Sequence, residues 1–384
     1  MIKKSKFVLF IGAFDLNPSD DVSTSSAGNQ VQFEIANELN KKVDIQESST
    51  FQSISMKPLK TWPVGAFLWS GLHKKNVYMP PFINIVGLKR LIFSIFILIA
   101  LIRTRPSIVV KYNITAVEAF VLLIYRIVNP ATFLVAVIQD VHYTKNKGVG
   151  VKKIFELLAM KLVTRFDMLI PISERIKNDF FFSTEKTRVF NGGLTRQGRS
   201  LLAASDDKLE PYAVFAGALM PYNGIDLLVR RWISENIEIE LHVFGKGSSD
   251  SLVHDAAVRY PTIIFHGFKS EEEVSSWQKN ALVNFCLRYS EGIEAAYFFP
   301  SKLFNIICAP GAVMANRFDG FPSALENSCL MLADDLSDLS EKIDMAKNHL
   351  ELNIIRARRR EWIEANGSWS AVVRDIFARA AATK

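Results

Sequence analysis

Apolar residues fall in alternating short and long blocks along the first half of the chain. Short apolar runs indicate buried strands, and longer runs with helical spacing indicate helices. The predicted strands are Phe7–Ile11, Ile108–Lys111, Phe133–Ile138 and Met168–Ile170. The predicted helices are Asn29–Leu39, 88–103, Thr115–Val128 and Val151–Val163. Strands that alternate with helices favour a parallel sheet with right-handed crossovers, which is the doubly wound arrangement.

A second alternation follows residues 195–210, a stretch without apolar periodicity that predicts a linker. The strands predicted after it are Ala213–Ala216, Ile239–Phe244, Ile263–His266, Val283–Leu287 and Ala312–Ala315. The helices are Gly224–Trp232, Glu271–Asn280 and Ser301–Cys308. The chain is therefore predicted to be an α/β protein with two doubly wound, Rossmann-like domains, at 1–195 and 205–360.

The helix predicted at 88–103 is unusually apolar. Between Leu91 and Ile102 only Ser94 is polar, and basic residues stand on both sides. The twelve helical residues from Leu91 to Ile102 cover about 18 Å at about 1.5 Å each, whereas the hydrocarbon of a bilayer is roughly 30 Å thick. We therefore do not expect it to span a membrane. Two interpretations stay open: a buried helix of the α/β layer, or a helix lying in the lipid interface with its basic flanks among anionic head groups.

Charge is distributed unevenly along the 384 residues. Residues 1–195 hold 25 Lys and Arg against 14 Asp and Glu, whereas the remainder holds 21 against 25. This asymmetry indicates two domains with different partners, the basic one suited to a membrane surface. The run of arginines at 356–360 lacks interleaved aromatic residues, so it is interpreted as a charged helix face and no nucleic-acid partner is expected.

The cysteines and the acidic pairs do not predict a metal or a disulfide. Cys286, Cys308 and Cys329 have no Cys-x-x-Cys spacing, which favours core thiols in a reducing compartment. The first apolar run is too short for a signal peptide, so we interpret it as a first strand. The expected location is cytoplasmic. Isolated Asp-Asp pairs are interpreted as solvated turns, and no metal site is predicted.

Candidate chemistry follows the predicted strands of the second domain. In doubly wound sheets, ligands bind beyond the carboxyl ends of the strands, where glycine lets the backbone approach a ligand closely. A helix that begins with Pro-Ser-Lys offers N–H groups, a hydroxyl and an ammonium to phosphate oxygens. The residues at these positions are Gly217, Asn223, Gly224, Gly245, Gly267, Phe268, Arg288, Ser301 and Lys302.

These stretches resemble a known family. The segments "VFAGALMPYNGIDLLV", "ELHVFGKG", "IIFHGFKSEEEVSSW" and "FFPSKLFNIICAPGAVMAN" are similar to GT-B glycosyltransferases, particularly the family 4 enzymes of bacterial surface polysaccharide synthesis. "SSAGNQVQFEIANEL", "LIPISERIKNDF" and "RVFNGGL" match more loosely. The resemblance covers most of the chain outside about 40–85 and implies two domains that face each other across a cleft.

The resemblance also implies roles for the residues. The second domain would bind a UDP- or GDP-linked sugar, with Gly217 and Gly224 under the diphosphate and Ser301 and Lys302 on its phosphates. Gly267 and Phe268 would lie near the base. The first domain would bind the acceptor near a glycine-containing loop. The residues assigned to that acceptor side are Gly12, Gly28 and Asn29. The helical stretch 362–384 would return to the first domain.

This sequence departs from the family pattern at several positions. Ala218 and Asn223 stand where an Arg and a Lys often neutralise the diphosphate, and Asn305 stands where a Glu usually holds the donor ribose. Tyr297 occupies the other position of the usual glutamate pair. We interpret the changes as divergence, with Asn305 retained as a donor-binding residue. A non-catalytic binding subunit and a nucleotide-sugar epimerase stay open as alternatives.

Transfer requires charge on the leaving nucleoside diphosphate to be stabilised, a role assigned to Lys302 and Arg288. An inverting reaction would also need a base for the acceptor hydroxyl. The candidates are Asp140, then His142, then Asp15, all after strands of the first domain. The sequence leaves retaining and inverting chemistry open. The expected function is transfer from a nucleotide sugar, without metal or cofactor, to a lipid-linked glycan acceptor by a peripheral protein at the inner face of the cytoplasmic membrane.

Overall fold

The computed structural model divides into two compact units, Met1–Asn191 with Trp369–Lys384, and Gly192–Ser368. The boundary between Asn191 and Gly192 lies just before the linker expected at 195–210. The structure describes residues 7–12, 26–42, 48–52, 77–78, 88–141, 150–194, 196–204, 209–289, 297, 301–318 and 320–383. Within these ranges no helix is long and apolar enough to cross a membrane.

The first unit is built on a six-stranded parallel sheet with the strand order β3-β2-β1-β4-β5-β6. Its strands are β1 (Val8–Gly12), β2 (Ser48–Gln52), β3 (Val77–Tyr78), β4 (Ile108–Tyr112), β5 (Phe133–Ile138) and β6 (Met168–Pro171). Its helices before the boundary are α1 (Ser26–Asn40), α2 (Leu88–Thr104), α3 (Ala116–Val128), α4 (Val151–Val163) and α5 (Glu174–Asp179). The sheet order is that of a doubly wound fold, as expected.

The order of the strands places the helices in two layers. Right-handed crossovers put helices on one face when the chain moves one way along the sheet and on the opposite face when it moves the other way. The chain enters β4, β5 and β6 through α2, α3 and α4, so these three helices share a face. Consistent with this, α3 packs against both α2 and α4.

The second unit contains a second six-stranded parallel sheet, with the strand order β12-β11-β10-β7-β8-β9. Its strands are β7 (Glu210–Ala218), β8 (Glu240–Lys246), β9 (Ile263–Gly267), β10 (Ala281–Cys286), β11 (Ala312–Asn316) and β12 (Leu330–Leu332). Its helices are α6 (Arg196–Leu202), α7 (Ile225–Ser234), α8 (Asp250–Arg259), α9 (Glu271–Asn280), α10 (Ser301–Ile306), α11 (Ser323–Glu326), α12 (Leu339–Lys347) and α13 (His349–Asn366).

The chain then returns to the first unit through α14 (Trp369–Ala382). The indole of Trp369 packs edge-on against Phe190 with ring centroids 4.5 Å apart. Val372, Val373 and Ile376 join the core formed with β1, β4 and β5. The helical stretch predicted at 362–384 instead contains the end of α13 and the whole of α14, because α13 ends at Asn366 and Gly367 caps it.

Two further expectations need correction. The stretch 195–210 contains the helix α6, in which Leu201 is buried, so it is not simply an unstructured linker. The arginines at 356–360 do not form one charged face, because Arg356 and Arg359 are buried. Arg359 donates from Nη2 to the carbonyls of Ala309 and Gly311, and Arg356 donates to that of Pro310.

Candidate functional site

Two glycines meet at the carboxyl ends of β7 and β8 in the second unit. Gly217 and Gly245 are register partners on these neighbouring strands. A Cβ built on Gly245, whose φ is +145°, would lie 1.7 Å from the carbonyl oxygen of Gly217. No side chain fits at this position, so the two strand ends approach each other backbone to backbone.

A tight turn follows β7 and brings a third glycine to the same edge. One turn of 3-10 helix spans Pro221–Asn223, and Gly224 joins it to α7 in the left-handed conformation, with φ at +71°. A Cβ on Gly224 would lie 2.5 Å from a ring carbon of Tyr289. Gly224 thus precedes the helix rather than belonging to it, and the turn packs directly against the chain that leaves β10.

Arg288 follows β10 and joins this turn. Its Nη1 donates to Oδ1 of Asn223 at 3.1 Å, and its guanidinium lies 4.9 Å from the ring centroid of Tyr222. Asn223 in turn donates from Nδ2 to the carbonyl of Ala218 at 2.8 Å. Burial lowers the pKa of Arg288 from its usual value, although a guanidinium remains charged at neutral pH. Asn223 therefore orients a half-buried cation at the sheet edge.

The backbone of Arg288 is held from the neighbouring strand. Asn316, the last residue of β11, accepts from the Arg288 N–H and donates to its carbonyl, both at 2.7 Å. The N–H of Tyr289 donates to the carbonyl of Tyr222 at 2.8 Å. Strand β10 lies between β7 and β11, so Arg288 is fixed from both sides of its own strand.

The same edge continues to β9, where a large aromatic side chain is exposed. Gly267 ends β9 with φ at +68°, and 71% of Phe268 is exposed. The Nζ of Lys246, at the end of β8, lies 4.8 Å from the centroid of the Phe268 ring. Behind them Phe244 stacks on His266 at 4.3 Å, and burial lowers the pKa of His266. An exposed aromatic face beside the glycine edge is suited to stacking on a flat ring.

Helix α10 begins with Ser301 and Lys302 of the Pro-Ser-Lys segment. The side chains of both residues lie outside the described part of the chain. Asn305 donates from Nδ2 to Oε1 of Gln197 on α6 at 2.9 Å, and Gln197 donates to Gln278 at 3.2 Å. The amide of Asn305 is therefore part of a series of side-chain hydrogen bonds that connects α10, α6 and α9.

In the first unit, Asp140 follows β5 and is held by a residue that sequence reasoning missed. Asn113 follows the neighbouring strand β4 and has φ at +44°. Its Nδ2 donates to Oδ2 of Asp140 at 2.6 Å, and its Oδ1 accepts from the N–H groups of Gln139 and Asp140. Gly12 ends β1, on the other side of β4. Gly12, Asn113 and Asp140 thus occupy one sheet edge.

A buried ion pair packs against the turn that contains Asn113. Lys111 donates from Nζ to the carbonyls of Tyr112 at 2.7 Å and Asn113 at 3.3 Å, and its ammonium lies 3.4 Å from Oε2 of Glu118. Burial lowers the pKa of Lys111, and the neighbouring Glu118 opposes that shift. Lys111 therefore binds the carbonyl of Asn113, the residue that orients Asp140, and the carbonyl of Tyr112 before it.

The remaining sequence-predicted residues have different placements. Gly28 and Asn29 lie in the first turns of α1 rather than in a loop, and Gln32 donates to the Gly28 carbonyl at 3.1 Å. Asp15 and His142 lie outside the described residues. Across the described ranges, no three His, Cys, Asp or Glu side chains are placed so that they could hold a metal ion.

Several solved structures have the same architecture over their full length. The structure of Anabaena HepE in complex with UDP is 12% identical, with a TM-score of 0.64, and the match covers 98% of this chain and 100% of that one. The apo form of the lipopolysaccharide outer core galactosyltransferase WaaB is 14% identical, with a TM-score of 0.66 and coverage of 98% and 99%. The chain has the GT-B fold.

A third structure extends the comparison. Sucrose-phosphate synthase from Thermosynechococcus elongatus is 14% identical, with a TM-score of 0.64 and coverage of 99% of this chain and 100% of that one. No family model and no curated protein matches the sequence. At sequence identities this low, the structural similarity establishes the GT-B fold but not the substrates.

Proposed function

We propose that this GT-B protein is a glycosyltransferase that moves a sugar from a UDP- or GDP-linked donor onto an acceptor. The observation that carries the proposal is the group formed by Gly217, Gly245, Asn223 and Arg288 at one sheet edge. It combines a half-buried guanidinium with backbone that lacks side chains. A diphosphate suits such a place, because guanidinium groups and close N–H groups both bind phosphate oxygens.

The roles follow from the charge that develops during transfer. As the bond from sugar to phosphate breaks, negative charge grows on the nucleoside diphosphate, and Arg288 stabilises it electrostatically. Lys302 and Ser301 are assigned phosphate contacts by the family resemblance, and Phe268 a position near the base. Asp140 is the first choice as base for the acceptor hydroxyl, with His142 and Asp15 as the alternatives.

The proposed acceptor is a lipid-linked glycan of surface polysaccharide synthesis, reached by a peripheral protein at the inner face of the cytoplasmic membrane. Two solved structures with this fold support this choice. WaaB is described as a lipopolysaccharide outer core galactosyltransferase, and WaaG as a glycosyltransferase involved in lipopolysaccharide biosynthesis. The proposal includes no cofactor, because the nucleotide sugar itself supplies the activated group, and no metal, because Arg288 and Lys302 are assigned the charge of the diphosphate.

Mass spectrometry of the products tests the proposal. The protein would be incubated with UDP- and GDP-sugars and a bacterial lipid extract, alongside Asp140→Asn and the exposed control Asp255→Asn. We expect a glycosylated lipid from the wild type and the control, and at least about a hundredfold slower formation by Asp140→Asn. Isomerised donor without acceptor would indicate an epimerase instead, and no donor consumption would indicate a binding subunit.

A further inference from the structure

The layer formed by α2, α3 and α4 is apolar on its outer side as well as on the side that covers the sheet. In α2, Phe93, Ile97 and Leu101 are buried. A separate row on the same helix, Leu91, Ile95 and Ile102, is exposed by 49%, 50% and 59%. A helix that only covers a sheet carries polar residues on its outer face, so this second apolar row needs another explanation.

The two neighbouring helices repeat the pattern. On α3, Phe120, Ile124 and Ile127 recur at helical spacing and are exposed by 56%, 40% and 80%. On α4, Ile154 and Phe155 are each 52% exposed. Because α3 packs between α2 and α4, the three exposed rows adjoin one another. We call these adjoining rows the three-helix face.

Within the described residues, exposed apolar side chains are concentrated on these three helices. Of the twenty exposed large apolar side chains in the described residues, fourteen lie on α2, α3 and α4. Isolated exposed apolar residues are normal, whereas a contiguous patch marks a surface that binds a partner or a membrane. The three-helix face is therefore an interaction surface.

The charged residues on these helices indicate which partner it fits. Among the described side chains of these three helices, the exposed ionisable ones are all basic: Arg90, Arg103, Lys152 and Lys161. Arg90 and Arg103 stand at opposite ends of the exposed row on α2. In a symmetric contact with a second copy, the same surface would meet itself and bring like charges together. Anionic lipid head groups would instead neutralise these basic residues while the apolar rows enter the acyl boundary.

We propose that the three-helix face binds the surface of an anionic lipid bilayer, with α2, α3 and α4 lying in its interface. The inference deepens the proposed function, since it rests on a lipid-linked acceptor and names the surface and the lipid charge. Both interpretations of the helix at 88–103 then apply, each to a different row of its residues. One row of α2 belongs to the core of the first unit, and the other row contacts lipid.

Vesicle flotation with the full chain tests this surface. Vesicles of phosphatidylcholine alone would be compared with an equimolar mixture of phosphatidylcholine and phosphatidylglycerol. The test variant combines Ile95→Glu, Ile127→Glu and Phe155→Glu, one exposed residue per helix. The matched control combines Phe181→Glu, Val258→Glu and Leu350→Glu, which are exposed apolar residues elsewhere. We expect the wild type and the control to float with the anionic vesicles, more weakly in high salt, and the test variant to lose about a hundredfold in partition coefficient.

Other results would overturn the proposal. A wild type that does not float with anionic vesicles would do so, as would a test variant that floats as well as the control. If the wild type is a dimer in solution and does not float, whereas the test variant is a monomer and the control a dimer, the face binds a second copy. Circular dichroism and nucleotide-induced thermal shift of the test variant show whether it is folded. A protein that floats but transfers no sugar would refute the proposed activity alone.

Discussion

At Gly245, the backbone of the second unit takes a form that excludes any side chain. A Cβ there would lie 1.7 Å from the carbonyl oxygen of Gly217, and φ is +145°. We expect Gly245→Ala to lower the free energy of unfolding by about 2 kcal/mol or more, because main chain must move. Denaturant unfolding measures this loss. Gly150→Ala is the control, with open space around its Cβ and an expected loss under about 1 kcal/mol.

Asn113 is a positioning residue for Asp140. Its amide donates to the carboxylate at 2.6 Å and accepts from two backbone N–H groups. In Asn113→Ala we expect kcat to fall about tenfold or more, because Asp140 loses its orientation, and the KM for the donor to change little. Steady-state kinetics separate the two constants. Asn366→Ala serves as the surface control, and an unchanged kcat in Asn113→Ala would remove this role.

Most of the site residues that the sequence predicted follow a predicted strand and are either glycines or residues with a polar or charged side chain. Gly217, Gly245 and Arg288 were predicted in this way, and the structure brings them to one edge. Asn113 and Asn316 also stand at strand ends, so the same rule applied to β4 and β11 would have found them. Tyr222 could not be found, because its contact with Arg288 depends on how a turn folds across strands.

At the scale of the element, α13 holds the connection between α10 and β11. Arg356 and Arg359 reach three consecutive carbonyls, those of Ala309, Pro310 and Gly311. Burial lowers the pKa of Arg359 to about 10. Arg356 and Arg359 are three residues apart and lie on the buried face of the helix, whereas Arg358 and Arg360 are exposed. Composition alone does not separate these two pairs.

Truncating Arg359 should therefore destabilise the second unit. We expect Arg359→Ala to lower the free energy of unfolding by about 3 kcal/mol, because it leaves a cavity and removes the side-chain donor of two carbonyls. Arg359→Met should cost less than half of that, since it fills the volume without a buried charge. Denaturant midpoints compare these variants with Arg360→Ala, which is exposed on the same helix. A stability of Arg359→Ala equal to that of Arg360→Ala would contradict this account.

Two kinds of signal give correct bounds: a run of apolar residues, as in β5 and α4, and the capping box of Ser270 and Glu273 with which α9 begins. The predictions for β5, α4 and α9 have the bounds found in the structure. Helix α8 was missed because only Val253 and Ala256 are buried on it, which leaves little periodic signal. The break between α13 and α14 was missed because both helices are amphipathic, and only tertiary packing assigns them to different units.

At the scale of the whole molecule, the chain builds two parallel-sheet units and returns to the first through its last helix. Each unit presents polar residues beyond the carboxyl ends of its strands: Asp140 with Asn113 in the first, and Arg288 with Asn223 in the second. We propose that the second unit binds the donor, and that the first provides the base and the surface that meets lipid.

Nucleotide binding is the direct test of a donor site at the sheet edge that holds Arg288. Thermal shift and titration calorimetry would be run with UDP, GDP, ADP and the common UDP- and GDP-sugars, on the wild type, on Arg288→Gln and on the exposed control Arg317→Gln. We predict that one nucleotide stabilises the wild type and the control, and that Arg288→Gln weakens its binding about tenfold or more. No response to any nucleotide, or equal binding by Arg288→Gln, would contradict a donor site at this sheet edge.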